Sequence, residues 1–339
     1  LNANVKSHQV FQLYQDVILK NKTNNNVEAL IDANLNRLKY AHSLNVSKLD
    51  QTLYLNALTN FFQEYSRYDA AAQVQIEIAN YYMNMGVQEM NNSLGDQKTN
   101  LIKVDSICND LIKRYPKSNW VSHAQLLKQN IRTQNLKVSI EDAYLIQKPI
   151  KFLLAHRNIS KAFFRLYKMP FHSINDSYEV NQDNLEEQLK KFSSVKEWEE
   201  SWPASSDFME HSVELKLDGL KSGQYYLMVN NSKDITSANI LQGGAFQVSN
   251  LAALKYQMDN QFDKIIVVNR DKGAPIKGAK VVFFESTNRG FRSIPDYKIF
   301  ETKITDADGM VLIPRREQLS YYVSLKDDLL LTQDWLYNM

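Results

Sequence analysis

An all-helical N-terminal region followed by two β-sandwiches is the architecture this sequence predicts, and three observations predict it. Apolar residues recur at three- and four-residue steps from about residue 3 to residue 135, in a stretch almost free of glycine and proline, as amphipathic helices require. Close to Leu136 the rhythm changes to alternation, the period of a strand with one buried face. Beyond it, strand-like runs are divided by turn residues at intervals of about 8 to 12 residues, the spacing of sandwich folds. The 339 residues exceed what one core organises, since domains cluster at about 100 to 150 residues.

The helices follow in order. The first carries Val10, Phe11, Tyr14, Val17 and Ile18 and gives way at the polar run Asn21 to Asn26, where side-chain amides compete with helical hydrogen bonds. The second holds Ala29, Leu30, Ala33, Arg37, Leu38 and Ala41. Ser47 and Asp50 have the spacing of a capping box for a third, which carries Leu53, Leu55, Leu58, Phe61 and Phe62. Asp69 is placed to cap a fourth, with Ala72, Ile76, Ala79, Tyr82 and Met83 in one stripe and Gly86 as its end. After the polar loop Asn91 to Asn100, a fifth runs through Val104 and Leu111 and stops before Pro116. Ser118 is placed to cap a sixth with Val121, Ala124, Leu127 and Ile131.

Short connections, with Ala71, Ala72 and Ala79 at crossing positions, predict stacked antiparallel pairs. The run LIKRYPKSNWVSHAQLLKQNI resembles a tetratricopeptide-type hairpin. Three units do not align with one consensus, so the expectation is an irregular helical repeat.

The strands begin with Leu136, Val138 and Ile140, continue through Phe152 and Leu154, and then KAFFRLYKM puts Ala162, Phe164 and Leu166, with Lys168 in the same register, on one face and Phe163, Arg165 and Tyr167 on the other. The polar stretch at about 170–210 is expected to be an insertion or long loop, with a short helix in NLEEQLKKF. SVELKLDGLKSGQYYLMVNN is expected to be a hairpin turning between Gly219 and Gly223. GGAFQVSNL closes this sandwich near Leu251. A second unit starts at about Ala252, with KIIVVNRDKGAPIKGAKVVFFES and YKIFETKITDADGMVLIP each giving strand, turn and strand, the pattern of an immunoglobulin-like sandwich. The expected domains are 1–135, 136–251 and 252–339.

Composition narrows function. With 44% hydrophobic and 23% charged residues the chain is of ordinary globular type, and a net charge of +2 supplies no general attraction to nucleic acid. The one cysteine, Cys108, excludes an intramolecular disulfide and cysteine-paired zinc sites. It sits in register with Val104, Ile107 and Leu111, so it is expected in the core. No run approaches the roughly 18 to 20 apolar residues that span a bilayer, and the first residues lack the layout of a secretory signal. The chain is expected to be a piece of a longer, exported protein.

VVNRDKGAPIKGAKVVFFES followed by TKITDADGMVLIP is similar to the macroglobulin-type sandwiches of the bacterial alpha-2-macroglobulin family, in which a Gly-x-Pro-x-x-Gly-Ala loop and a Thr-Asp-x-x-Gly turn each precede a strand. LKSGQYYLMV resembles the family's turn and strand around Pro-Gly-x-Tyr, with Ser222 where proline is common, and GAFQVSNLA resembles its interdomain linker. The resemblance covers about residues 136–339, and helical repeats ahead of such sandwiches resemble large members from Bacteroidetes-like bacteria. It implies a protease-trapping inhibitor of the periplasm or membrane-anchored cell envelope. Proteases would be the partners of the full-length protein, and another envelope protein a partner of the helical region. The family's thioester lies in Cys-x-Glu-Gln, whereas Cys108 lies in SICNDL, so the resemblance implies no thioester here. The same loop and turn occur in carboxypeptidase-regulatory-like and other surface sandwiches, which keeps a surface adhesin or carbohydrate-binding module as the alternative.

No enzyme, cofactor or metal site is expected. Asp306 and Asp308 flank a tight turn and lack the ligand spacing of an EF-type calcium loop. Glu199 with Glu200 and Glu186 with Glu187 are sequence neighbours expected on a solvated helix face. His156 beside Arg157, and His211, lack a Ser or Asp partner at a recognisable spacing. Trp198, Trp202, Phe208, Tyr225 and Tyr226 are aromatic enough to line a glycan-binding face, with core packing the plainer expectation.

Overall fold

The structure, a computed structural model, describes residues 2–44, 48–91, 99–169, 187, 189, 191–234, 240–258, 261–286, 297–315 and 319–332. It divides into two compact units, one of Leu1–Thr133 with Ala204–Glu210 and the other of Gln134–Pro203 with His211–Met339.

The first unit holds the helices α1 (Asn2–Thr23), α2 (Val27–Ser43), α3 (Lys48–Tyr65), α4 (Ala72–Asn91), α5 (Asn100–Arg114) and α6 (Val121–Arg132), with a 3₁₀ turn at Asp69–Ala71 before α4. Sequence neighbours pack as pairs because the connections are short. At the break after α1, Asn25 takes a positive φ of 51°, and Asn26 Oδ1 accepts from Ala29 N at 3.2 Å, capping α2.

Helix α4 lies between two cores. Its Val74 and Ile78 join Ile31 and Leu35 of α2 and Tyr54, Leu58 and Phe61 of α3. Its Ala72, Ile76 and Ala79 meet Leu101, Val104, Cys108 and Leu111 of α5 and Ala124 and Ile131 of α6. The alanines keep one side of α4 flat, so α5 can bury its whole apolar stripe against it. Each large aliphatic side chain taken out of water there contributes about 1.5 to 3 kcal/mol. Tyr115, just before the proline that stops α5, donates from its hydroxyl to Ser66 O at 2.5 Å and fixes where the helix ends.

Three helix-end expectations change. Gly86 sits inside α4, where a Cβ would run into the Leu101 side chain; the glycine gives α5 room to approach. Asp69 is the first residue of the 3₁₀ turn, whose N-cap is Tyr68, and α4 itself starts at Ala72. Ser118 accepts through Oγ from Trp120 N at 3.3 Å in the turn before α6, which starts at Val121. The expected capping box at Ser47 lies outside the described residues. No described helix is long and apolar enough to cross a membrane.

The elements that can be delimited among the described residues of the second unit are strands. Strands β1 (Asn135–Ser139), β3 (Ile150–Arg157) and β6 (Glu210–Leu217) form one sheet in the order β1-β3-β6. Strands β2 (Ala143–Tyr144), β4 (Lys161–Met169), β5 (Ser194–Ser201), β7 (Gly223–Asn230) and β8 (Leu241–Val248) form a second, ordered β2-β8-β7-β4-β5. Leu136, Phe152, Leu154 and Leu217 of the first sheet share one core with Ala162, Phe164, Leu166, Tyr225, Leu227, Val229 and Phe246 of the second. The outer face of the five-stranded sheet carries Tyr167, Met169, Tyr226 and Met228, which Leu189 and Phe192 cover.

Two strand expectations change here. The run around Gly219 to Gly223 is no hairpin, because β6 and β7 belong to different sheets. Leu217 and Tyr225 line the same core from its two sides, so the chain has to cross between sheets in that loop. The loop is held by Gln147 N, which donates to Leu220 O at 2.9 Å. Within the stretch expected to be an insertion, Ser194–Ser201 is strand β5, paired with β4 from Lys161↔Ser201 to Tyr167↔Ser194 with a register shift at Leu166/Tyr167. Of the helix expected in NLEEQLKKF, Glu187 and Leu189 are helical, and 184–186, 188 and 190 lie outside the described residues.

The second sandwich packs β13 (Met310–Pro314), β10 (Phe262–Asn269) and β9 (Leu251–Gln257) against β12 (Tyr297–Ile304), β11 (Lys280–Ser286), β14 (Leu319–Leu325) and β15 (Asp328–Leu331), in those sheet orders. Ile265 and Val267 of β10, Val281 and Phe283 of β11, Ile313 of β13 and Val323 of β14 fill its core. Central strands β10 and β11 are rich in β-branched and aromatic residues, which suit a strand buried between neighbours.

Candidate functional site

The loop and the turn of the second sandwich, which carry part of the family resemblance, meet in space, and what they build is a clasp. Thr305, 3% exposed, accepts through Oγ1 from Ala279 N at 2.9 Å and donates to Ile276 O at 2.6 Å. Its backbone N donates to Ala279 O at 2.9 Å, and its carbonyl accepts from Gly278 N at 3.0 Å. One threonine thus closes the loop 273–278 onto the turn 305–309.

Asp306 Oδ1 accepts from Asp308 N at 3.0 Å and Met310 N at 2.8 Å, which spends the carboxylate on the turn itself. Gly273, Gly278 and Gly309 take φ of 66°, 81° and 71°, the left-handed region where only glycine is at ease. Gly309 is the tightest, since a Cβ there would meet Val267 O and stand 3.0 Å from Ile276 N. Gly309→Ala is expected to cost about 1 to 3 kcal/mol through strain and displaced backbone. Gly273→Ala, with open space around it, is expected to cost less; comparing the two unfolding midpoints checks the difference.

The other candidates stay apart. Cys108 is fully buried in the helical core, and burial pushes its thiol up to about 11, with Asp105 adding to the rise. Below that pH the thiol stays protonated and is a poor nucleophile. Native Cys108 is therefore expected to resist iodoacetamide at pH 8 and to react once the chain is unfolded, as mass spectrometry would report.

His156 is 6% exposed and its ring lies 4.3 Å from that of Trp202 and 5.9 Å from that of His211. Trp202 donates Nε1–H to Ile159 O at 2.6 Å, so this aromatic group closes the end of the first sandwich. Glu199 and Glu200 lie on strand β5 and on no helix; they are adjacent, so their side chains point to opposite faces. Glu199 pairs with Lys161 across the strands at 2.9 Å. Glu187 is exposed and Glu186 lies outside the described residues. Among the described residues no group of three or more His, Cys, Asp and Glu side chains is placed to hold a metal ion.

Nor do the aromatic residues form one platform. Trp198 stacks on buried Phe164 at 5.0 Å and 12°. Tyr225 and Tyr226, 4% and 3% exposed, belong to opposite faces of their sheet and to separate cores. Burial raises the Tyr226 hydroxyl well above the ordinary tyrosine range. Phe208 packs in the helical unit under the Arg132 guanidinium, 5.2 Å from the ring centre. Core packing accounts for these rings.

Sequence reasoning missed a polar group where the two sandwiches meet. Ser222, Gln247, Ser249, Asn250, Arg270 and Asp328 hydrogen-bond there to backbone groups or to one another. Beside them opens a cleft of about 460 Å³, lined by residues that include Asp142, Leu254, Lys255, Arg270 and Tyr321. Burial lowers the Arg270 guanidinium, and Asp328 works against that. The one signal in the sequence was Ser222, a hydroxyl where proline was expected.

The chain is of the class that sets helices ahead of tandem sandwiches. No family model matches it, and no curated protein does. Among solved structures it is similar to native alpha-2-macroglobulin from Escherichia coli spanning domains MG0-NIE-MG1, at 14% identity over 58% of this chain and 63% of that one, with a TM-score of 0.44. It is also similar to the native conformation of the E. coli protein seen by cryo-electron microscopy, at 12% identity over 58% of this chain and 12% of that one, TM-score 0.34. The CARDB domain of a Pyrococcus furiosus protein is similar at 11% identity over 34% of this chain and 92% of that one, TM-score 0.20. The chain thus spans less than two thirds of the first of these and about an eighth of the second.

Proposed function

We propose that this chain is a non-catalytic structural and interaction segment of a longer alpha-2-macroglobulin-like protein, part of a protease-trapping inhibitor at the bacterial envelope. The observation that carries the reading is the clasp. In the loop and turn that resemble the family's motif, the Thr305 hydroxyl and the Asp306 carboxylate, the groups that look most like chemistry, are consumed by backbone groups. In this reading residues 1–135 are an irregular helical repeat, and 136–251 and 252–339 are macroglobulin-type, immunoglobulin-like domains.

Proteases are then partners of the full-length protein, with this part supplying shell and spacing. The helical region is the surface for a second envelope protein. It offers a groove of about 450 Å³ whose lining includes Glu28, Asp32, Asp69, Lys117 and Trp120.

The test is to add a protease to the full-length parent. Capture of the protease with a more compact hydrodynamic form after cleavage supports the reading. A cut chain with unchanged hydrodynamics and free protease rejects it.

A further inference from the structure

Two β-sandwiches joined by a short linker ordinarily swing about it, and here the linker is tied from both sides. Asp328, at the start of β15 in the second sandwich, accepts through Oδ1 from the Ser222 hydroxyl at 2.9 Å and through Oδ2 from Asn250 N at 2.9 Å. Ser222 accepts in turn from Leu329 N at 3.2 Å. These partners are 106 and 78 residues from Asp328 in the chain. Gln247, 4% exposed in β8, donates Nε2–H to Leu331 O and accepts from Leu331 N, both at 2.9 Å. Its side-chain amide thereby takes the place of a neighbouring strand at the outer edge of β15.

The linker backbone is used up in the same way. Leu251 N donates to Ser249 Oγ at 3.0 Å, and Arg270 donates Nε–H to Leu251 O at 3.1 Å and backbone N–H to Asn250 O at 2.7 Å. The Asn250 side chain accepts from Ile146 N at 3.1 Å. Ser249 and Leu251 are at most 1% exposed, so swinging the sandwiches apart would strand buried donors and acceptors before water could reach them.

We infer that the two sandwiches are locked as one rigid body, with Asp328 and Gln247 as the locks, and that the linker Ser249–Leu251 is not a hinge. Side chains of the first sandwich complete the strand edges of the second, which sets the angle between them as well as the contact. Any change of shape in a longer protein containing this chain must then hinge elsewhere. The inference stands apart from the protease-trap reading, because it concerns only the geometry within residues 134–332.

The test places spin labels at Lys216→Cys on β6 and Lys280→Cys on β11, both exposed, in the full chain carrying Cys108→Ala. Pulsed electron–electron distances then report the angle. The lock predicts a single narrow distribution, and one at least about twofold wider in the Asp328→Ala, Gln247→Leu double variant with its circular dichroism unchanged. Asp328→Asn, which keeps an acceptor oxygen, should recover most of the narrow form. If the double variant does not fold, Ser222→Ala carries the test and should also broaden the distribution. A broad distribution in the parent, or one left unchanged by folded lock variants, overturns the inference.

Discussion

Thr305→Val is expected to destabilise the second sandwich by about 2 to 4 kcal/mol, although it adds a methyl group and removes only a hydroxyl. The hydroxyl serves Ala279 N and Ile276 O at once in a site that is 3% exposed. Valine fills the same volume and leaves the buried Ala279 N and the half-buried Ile276 O without this partner, at about 1 to 3 kcal/mol for each group that water does not reach. Thr305→Ser keeps both hydrogen bonds and should cost about 1 kcal/mol, the worth of a buried methyl. Scanning calorimetry of the β unit checks the pair. Equal midpoints for the two variants would show that the hydroxyl is idle.

The second large effect is expected in the first sandwich. Phe164, 1% exposed, stacks on Trp198 at 5.0 Å and meets Phe152 edge-on at 6.0 Å. Phe164→Ala should cost about 3 to 5 kcal/mol, from lost transfer energy plus the cavity left between two sheets that cannot close on it. Phe164→Leu should cost less, since most of the volume stays, but about 0.5 to 1.5 kcal/mol of ring stacking goes with the ring. Trp198 reports the site directly, because losing the ring beneath it should shift its emission while β5 remains paired. A Phe164→Ala midpoint within error of the parent would mean that this ring is not central to the core.

What was legible in the sequence was local. Helical stripes such as Val104, Ile107, Cys108 and Leu111 are fixed by spacing along one chain segment, and the structure buries Val104, Cys108 and Leu111 fully and Ile107 in part. Turn chemistry was legible for the same reason, since Asp306 and Gly309 act within five residues of each other. Strand partnership was not legible, because it is settled by segments far apart. The run from β6 to β7 has the turn residues of a hairpin, yet each strand finds its neighbour elsewhere and the loop crosses the core. Strand β5 was hidden by its charge: Lys196, Glu197, Glu199 and Glu200 are tolerated because it is an edge strand, with Glu197 and Glu199 paired to Arg165 and Lys161 on β4.

The candidate sites divide along the same line. The clasp could be named from its glycines, threonine and aspartate because each makes a backbone shape that few other residues make. The lock at the junction could not, because glutamine, serine, asparagine and aspartate scattered from Ser222 to Asp328 look like surface residues until strand edges are brought to them. Gly86 is a smaller case. Its value lies in the approach of Leu101, which no local pattern around residue 86 records.

Amide hydrogen exchange across residues 267–313 tests most directly whether the motif residues are engaged in structure. The amides of Ala279, Thr305 and Met310 should exchange as slowly as those of Val281 and Val311 in the core strands and speed up together in Thr305→Val. Fast exchange at those three amides in the parent chain, with the core strands slow, would mean an open loop whose motif serves something other than the fold.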